Sequence, residues 1–398
     1  MTAKRTAISR RLAIRRTAHR PPWGGRKSAH RSIVAPLAAT LATTVAVRVG
    51  VALAKAGRER RLNRPPSPQR RFGLLAGEGL AEGAQRMALA QVDIAIEHLS
   101  GDGGQLDEHA VHEVRKALKR LRALVRALRD ELGARAFARE NDALRHIAGR
   151  LAGARDSEVM LATLQALIAR HPGKLERRAG VAELQRHLEA ERVRMERQTL
   201  GDHAMRAEVL TDLRALRARV SDWRLRERGG SALVEPGLRR IYRQGRVRYR
   251  RVARGKGERV RTMHEWRKRV KDLRYVAEML QRSEPAAKGR RGRRRRRKRA
   301  ANDAAWLRRV ARLADGLGEM LGEDHDLALL AELVRACGKG SGVRIGRRTR
   351  KLLLKLIQQR RRELRKRSLR AGKRLFRRRP KRFVARVRAA YAGVRGVS

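Results

Sequence analysis

The sequence predicts an all-α protein, and three observations support that fold class. Aromatic residues make up 3% of the 398 residues and hydrophobic residues 41%, so a packed core must consist mainly of Leu, Ala and Val. That composition favours helices over strands. Apolar residues recur at helical spacing along most of the chain, and no alternating apolar pattern of useful length is present.

Residues 1–71 form a basic leader that ends in the Pro-rich stretch RLNRPPSPQRRFG, which is typical of a linker. We expect this leader to be partly disordered. Its one apolar run begins at Ile33 and is interrupted by Arg48. A membrane span needs about 20 strongly apolar residues, which this run does not supply. The segment 33–54 therefore predicts a buried or interfacial helix, or partial disorder, and we expect no membrane partner.

A first helical half is predicted over residues 72–235. Glycines near position 101 separate its first helix from a helix that contains His112, and paired glycines at 229–230 close it. The predicted helices are about 80–99, a His112 helix that ends near 132, 135–151, 155–170, 175–197 and 203–224.

A second helical half is predicted over residues 236–376 and begins at Pro236, a favourable first-turn residue. It contains a His264 helix and an Arg-rich insertion at 287–300. Residues 288–299 of the insertion include no apolar side chain to bury, and ten of these twelve residues are Lys or Arg, whose charges repel one another. We therefore expect the insertion not to fold by itself. Two interpretations that do not exclude each other remain open, namely a solvated loop and an arm that binds polyanions or nucleic acid. Further helices are predicted at 301–319, 325–336 and 344–370, followed by a basic tail at 377–398.

The sequence contains two copies of a basic helical motif. The first is HEVRKALKRLR from His112, and the second is HEWRKRVKDLRY from His264, 152 residues later. On a helical wheel each copy has one apolar face and one face of His and cations. Isolated solvated faces usually alternate acids with bases, because opposite charges at i, i+4 support a helix. These faces carry few acids, which favours an anion-binding role. The predicted stripe residues are His112, Arg115, Lys116, Lys119, Arg122 and Arg126 in the first copy, and His264, Arg267, Lys268, Lys271 and Arg274 in the second.

A second pair of motifs, ARDSEVML and EDHDLALL, follows the two basic helices and aligns Asp156 with Asp326, 170 residues apart. The chain is therefore predicted to be one helical unit written twice, with the insertion accounting for the longer spacing. Two halves that face each other across a pseudo-twofold axis would bring both cationic stripes to one groove or cavity. We expect the two aspartates to cap helices or to orient arginines, and His325 to cap, to lie at the surface or to add a donor to the groove.

The charge of the chain restricts the class of partner. Lys and Arg number 101 against 39 Asp and Glu, a formal net charge of +62. A surface this positive attracts polyanions, and composition alone leaves nucleic acid, anionic membrane and inorganic polyphosphate open.

The quoted motifs, in their order, resemble the CHAD family, the conserved-histidine α-helical domain, over roughly residues 72–336. The resemblance implies two four-helix halves around a basic central cavity. It also implies binding of inorganic polyphosphate and association with polyphosphate granules in the cytoplasm. The stripe residues other than Arg126 correspond to family positions. Asp272 departs from the repeat, because it stands where the first copy has Arg120.

Three alternatives remain open. Nucleic-acid binding is allowed by the charge and by the insertion, although scarce aromatics leave few platforms for stacking single-stranded bases. An enzyme is disfavoured, because HEVRK and HEWRK lack the second His of a zinc-protease motif and GKGSG lacks P-loop spacing. A membrane-surface scaffold could use residues 33–54.

From the sequence we therefore predict a non-catalytic polyphosphate-binding protein with no catalytic residues, no metal and no cofactor. Cys337 is the single cysteine, so no intrachain disulfide can form. The sequence makes no prediction of oligomeric state.

Overall fold

The computed structural model describes residues 67–100, 108–151, 153–255, 259–281, 294–337 and 343–395. Within these ranges the protein is all-α, with twelve α-helices and no β-strand. Their bounds are α1 Leu80–Ser100, α2 Glu108–Ala127, α3 Arg129–Arg150, α4 Gly153–Arg170, α5 Pro172–Leu175, α6 Ala179–Gly201, α7 His203–Ser221, α8 Glu235–Ala253, α9 Arg259–Met279, α10 Arg294–Ala336, α11 Arg347–Leu375 and α12 Pro380–Arg395. The leader as far as residue 66, including segment 33–54, and residues 287–293 of the insertion lie outside the described residues.

The apolar faces predicted for the two repeated helices, α2 and α9, are confirmed. Every apolar residue assigned to those faces is at most 2% exposed. These residues are Val114, Leu118, Leu121, Leu124, Val125 and Leu128 in the first copy, and Trp266, Val270, Leu273, Val276 and Leu280 in the second. Because one face of each helix is buried in this way, its His and cations point away from the core.

Helix α10 differs from the prediction of two helices at 301–319 and 325–336, because it runs without interruption from Arg294 to Ala336. It also begins inside the Arg-rich insertion, which was expected not to fold by itself. Arg and Lys are good helix formers, and extending an existing helix costs much less than nucleating one. A packed helix can therefore continue backwards into a charged segment.

Two further segments differ from the prediction: the His112 helix ends early, and the predicted basic tail contains a helix. The His112 helix ends at Ala127, not near 132, and a further kink at Gly133 interrupts α3 with a positive φ of 80°. Helix α12 lies within the segment assigned as a basic tail. Its Phe383, Val387 and Tyr391 are buried, so this segment is part of the core.

Two hydrophobic clusters hold the helices together. The larger draws on α1, α2, α3, α7, α8, α9, the first part of α10, and α12. The smaller combines α4, α5 and α6 with the second part of α10 and with α11. Helices α2 and α9 pack against each other, which brings the two basic faces together.

A close backbone approach fixes the crossing of α8 over the end of α2. A Cβ atom at Gly237 would lie 2.1 Å from the carbonyl oxygen of Ala127, so only glycine fits there. No helix within the described ranges is both long enough and apolar enough to cross a membrane.

Candidate anion-binding recess

All eleven stripe residues predicted from the sequence line one recess of about 1430 Å³. Helices α2 and α9 contribute the stripes, and α3, α4, α10 and α11 complete the walls. Fifteen Lys and Arg side chains line the recess against six Asp and Glu. The recess therefore has a strong positive excess in a concave site, where field lines are focused.

On the α2 wall, the cations are fixed by local contacts. Arg115 donates a hydrogen bond from Nη1 to the carbonyl oxygen of Leu151 at 2.6 Å. Lys116 pairs with Glu113, one turn away, at 3.0 Å. His112 and Lys119 are exposed to the recess. The charge of Lys116 lowers the pKa of the Glu113 carboxyl, although burial acts in the opposite direction.

The α9 wall repeats one of these contacts and adds others from α10. Lys268 pairs with Glu265 at 2.8 Å, which matches the Lys116–Glu113 pair in sequence spacing. Lys271 pairs with Glu319 of α10 at 2.6 Å. Arg274 is bound by Glu278 on its own helix and by Asp315 of α10.

The stripes are therefore less free of acids than the sequence suggested. Glu113 and Glu265 belong to the repeated motif itself, and Asp315 and Glu319 reach the second stripe from another helix. Solvent-accessible pairs of this kind contribute about 0–1 kcal/mol. An anion with several charges can therefore displace these carboxylates at a small energetic cost.

Two glycines of α10 let the second stripe lie close to that helix. A Cβ atom at Gly318 would lie 3.0 Å from Cε of Lys271, and one at Gly322 would lie 2.9 Å from a guanidinium nitrogen of Arg267. A side chain at either position would push these cations out of place. The glycines thus set the depth of the recess along this wall.

A buried acid, Asp272, joins the two repeated helices at the floor of the recess. Its Oδ1 accepts a hydrogen bond from Nη1 of Arg126 in α2 at 2.7 Å. Its Oδ2 lies 3.1 Å from Nη1 of Arg269 in α9. Arg122 lies nearby, where burial and the charge of Arg126 lower its pKa to about 10. The departure from the repeat at this position therefore supplies a counterion for three neighbouring arginines.

His264 has a strongly lowered pKa. Burial, followed by the neighbouring His325, Lys268 and Arg267, lowers its pKa from 6.5 to about 4. Its ring centroid lies 4.5 Å from that of His325. Its Nδ1 atom is buried and has no hydrogen-bond partner among the described residues. An anion that entered here would find a ring able to take up a proton.

The two aspartates of the second motif pair behave differently from each other. Asp326 lies in the interior of α10, so it does not cap a helix, and its Oδ1 is 3.3 Å from Nδ1 of His325. Both residues line the recess, so of the three positions left open for His325 the structure has the one at the groove. Asp156 lies in the first turn of α4, and its side chain is outside the described residues.

Sequence reasoning missed several cations of the recess walls. They come from helices that lie far from the motifs in sequence, or from the flank of a motif helix, and they are Arg120, Arg145, Arg170, Arg269, Arg360 and Arg367. Arg360 is the most enclosed, with a side chain 8% exposed that contacts Glu323 at 2.6 Å. Arg120 and Arg269 lie within the repeated motifs but outside the predicted stripes, whereas only tertiary packing brings the helices of the other four arginines to the recess. Among the described residues, no three His, Cys, Asp or Glu side chains are grouped so as to hold a metal ion.

Comparison with known proteins identifies the family. The CHAD domain model matches residues 86–335, more than half of the chain, so the chain belongs to the CHAD domain family. The structure is similar to PptA from Streptomyces chartreusis, with a TM-score of 0.49 and 17% identity, covering 76% of this chain and 100% of that one. It is also similar to the CHAD domain from the plant Ricinus communis, with a TM-score of 0.42 and 18% identity, covering 82% and 97% of the two chains. No curated protein matches the chain significantly.

Proposed function

We propose that this CHAD-domain protein binds inorganic polyphosphate in the recess between α2 and α9, without catalysing a reaction on it, and acts at polyphosphate granules in the cytoplasm. The observation that carries the proposal is the convergence of both repeated stripes on one concave, strongly positive site. A polymer of phosphates presents charge at every unit and no bases to read. It therefore suits a site built of many cations and few aromatic side chains.

The helix contacts support a duplicated architecture. If α1, α2, α6 and α7 correspond to α8, α9, α11 and α12, then α3 and α4 together correspond to the long helix α10. Each contact in the first set then has a counterpart in the second. Thus α1–α2 corresponds to α8–α9, α1–α7 to α8–α12, α3–α7 to α10–α12 and α4–α6 to α10–α11. The contact between α2 and α9 would lie on the pseudo-twofold axis, with the basic recess beside it.

The chemistry of the walls fits phosphate in two ways. Arginines present a planar fork that can hold two phosphate oxygens, and lysines supply point charges on flexible stems. The carboxylates that pair with Lys116, Lys268 and Lys271 are all at least one-fifth exposed, so water can receive them when phosphate takes their place. Affinity would then depend largely on counterion release and fall steeply with salt.

The direct test reverses one charge in each stripe. We expect the double variant Lys119→Glu and Lys271→Glu to lose retention of long-chain polyphosphate while its helical circular dichroism is preserved. Because glutamate at 271 would face Asp315 and Glu319, the milder pair Lys119→Gln and Lys271→Gln provides a second variant. It should weaken binding with less effect on stability.

A matched control variant changes the net charge by the same amount as the Lys119→Glu and Lys271→Glu variant but alters no residue of the recess. Lys174 and Lys381 are exposed and do not line the recess, so their replacement by glutamate should leave retention close to that of the unmodified chain. Equal retention by the recess variants and by this control would reject the recess as the binding site. Release of phosphate from polyphosphate by the purified protein with Mg²⁺ would reject the non-catalytic assignment.

A further inference from the structure

We infer that the outward faces of α8 and α11 form a second anion-binding surface, separate from the recess, that binds the backbone of duplex nucleic acid without sequence preference. This surface consists of two rows of cations. The α11 row is Lys366, Arg370 and Lys373, with Arg377 two residues beyond the end of the helix, and the α8 row is Arg239, Arg243 and Arg250, with Arg254 directly after the end of the helix. None of these residues lines the recess.

Within α11 the row follows the helical repeat, because Lys366, Arg370 and Lys373 lie at spacings of four and three residues along the exposed side. The opposite side of the same helix carries Leu364, Ser368 and Leu375, which are buried. All four cations of the row are exposed, and none has a hydrogen-bond or ion-pair partner among the described residues. From residue 364 to the end of the sequence there is no Asp or Glu. Local acids therefore do not neutralise this row.

The α8 row has the same character. Its four arginines lie at spacings of four, seven and four residues, opposite the buried Leu238, Ile241 and Val252. These arginines are also exposed and without partners among the described residues, and residues 236–257 contain no acid. Val247 occupies the gap in the row and is 50% exposed. One exposed valine does not provide the apolar face with which an amphipathic helix enters a membrane.

Hydrogen bonds place the two helices side by side and antiparallel. The Tyr242 hydroxyl donates to the carbonyl oxygen of Leu375 at 3.1 Å, and Nε of Arg246 donates to that of Phe376 at 3.1 Å. Further along, Nη2 of Arg365 donates to the carbonyl oxygen of Val252 at 3.3 Å. The rows therefore run beside each other over the same stretch. Packed helices are about 8–10 Å apart, and the longer row extends over about 22 Å at 1.5 Å per residue.

A stiff, densely charged partner suits this surface best. Duplex DNA carries one charge per about 1.7 Å, so a stretch as long as the α8 row presents roughly a dozen phosphates. The persistence length of the duplex is about 50 nm, so it loses little conformational freedom on a straight, open face. A flexible polyphosphate chain would lose more conformational freedom than the duplex does when it is held straight along such a face. The rows contain no aromatic residue, which leaves single strands without a stacking platform.

The test measures how the affinity of the full chain for a labelled mixed-sequence duplex DNA depends on salt. Replacing the four cations of the α11 row by glutamine should reduce the slope of log K against log salt by about 3 to 4, because each phosphate contact contributes about 0.9. A second variant with the α8 row replaced should show a similar reduction. A control quartet of exposed cations outside both rows should change the slope by well under one unit. That quartet is Arg135, Lys174, Arg177 and Arg214, each replaced by glutamine.

The same samples separate this inference from the polyphosphate proposal. The Lys119→Gln and Lys271→Gln variant should keep its duplex slope, and both row variants should keep polyphosphate binding and helical circular dichroism. Row variants whose duplex slopes equal that of the control quartet would overturn the inference. So would row variants that keep duplex binding but lose binding to vesicles of phosphatidylserine and phosphatidylcholine. Loss of duplex binding in the recess variant alone would overturn it as well, because the duplex would then occupy the recess.

Discussion

Replacing Asp272 by asparagine tests whether this buried counterion holds together the arginines at the floor of the recess. The Asp272 side chain is 6% exposed and lies between Arg126 and Arg269, which are 19% and 16% exposed. Removing one partner of a buried ion pair typically costs 3–5 kcal/mol, because the remaining charge is left uncompensated. Since both arginines retain some solvent contact, we expect a loss of about 2–3 kcal/mol in the free energy of unfolding.

The assay is denaturation followed by circular dichroism, with and without long-chain polyphosphate. In the absence of anion, the Asp272→Asn variant should melt roughly 3 °C below the unmodified chain. Polyphosphate should remove much of that difference, because phosphate can replace the lost carboxylate beside the arginines. The variant should also bind polyphosphate more tightly, since the recess has lost a negative charge.

A control distinguishes this effect from loss of an ordinary ion pair. Asp142 pairs with Arg145 at 2.8 Å, but both side chains are about 60% exposed. Asp142→Asn should therefore change the free energy of unfolding by less than about 0.5 kcal/mol. The reasoning is refuted if Asp272→Asn is no more destabilising than this control, or if polyphosphate stabilises the variant no more than the unmodified chain.

Three further predictions concern helix packing at Gly237, the competition of Glu319 with polyphosphate for Lys271, and the uptake of a proton by His264. Gly237→Ala should destabilise the fold by about 1–3 kcal/mol in chemical denaturation, because its Cβ would press on the backbone of α2. Glu319→Gln should strengthen polyphosphate binding in a salt titration, because it removes a carboxylate that competes for Lys271. Polyphosphate binding should take up a proton between about pH 4 and 6.5, measured by calorimetry in buffers of different ionisation enthalpy, and His264→Gln should reduce that uptake.

The first two of these changes have matched controls. Gly316 lies in an open part of α10, where an added Cβ would meet no atom within 4 Å. Gly316→Ala should therefore raise the free energy of unfolding by about 0.5–1 kcal/mol, whereas Gly237→Ala should lower it. Glu332→Gln, on the exposed side of α10 away from the recess, should leave polyphosphate affinity unchanged. An affinity equal to that of Glu319→Gln would contradict the competition.

The lowered pKa of His264 also determines how the stability of the anion-free protein depends on pH. The unfolded chain binds a proton near pH 6.5, whereas the folded chain binds it only near pH 4. The contribution of this residue is therefore fully present above pH 6.5 and is lost progressively as the pH falls towards 4. Denaturation across this range should show a smaller pH dependence in His264→Gln, and an unchanged dependence would contradict the assignment.

The parts of the fold that could be predicted from the sequence are those that depend on local periodicity. The repeated motifs place one face of α2 and one of α9 in the core, and both of their charged faces line the recess. The wheel could not predict the continuity of α10, because glycines and acids at 316–324 are equally compatible with a turn. It also could not assign α12, whose arginines conceal the apolar spacing of Phe383, Val387 and Tyr391.

The site was predictable in its centre and not in its surroundings. Glu319 lies 48 residues from Lys271, and only the packing of α10 on α9 joins them. Arg360 reaches the recess from α11 and is held there by Glu323 of α10. The sequence could not predict this contact, because it depends on how α10 and α11 pack. The role of Asp272 was visible only as a departure from the repeat, since its partner Arg126 belongs to the other copy. Interactions between distant helices therefore account for what the sequence did not predict.

Lysine footprinting gives the most direct measurement of where the polymer lies. The full chain is labelled with an amine-reactive reagent in the presence and absence of long-chain polyphosphate, and modification is read by mass spectrometry. We expect Lys116, Lys119, Lys268 and Lys271 to be protected together, while Lys174 is labelled equally in both samples. Unchanged labelling of those four lysines at saturating polyphosphate would show that the polymer binds elsewhere on the chain.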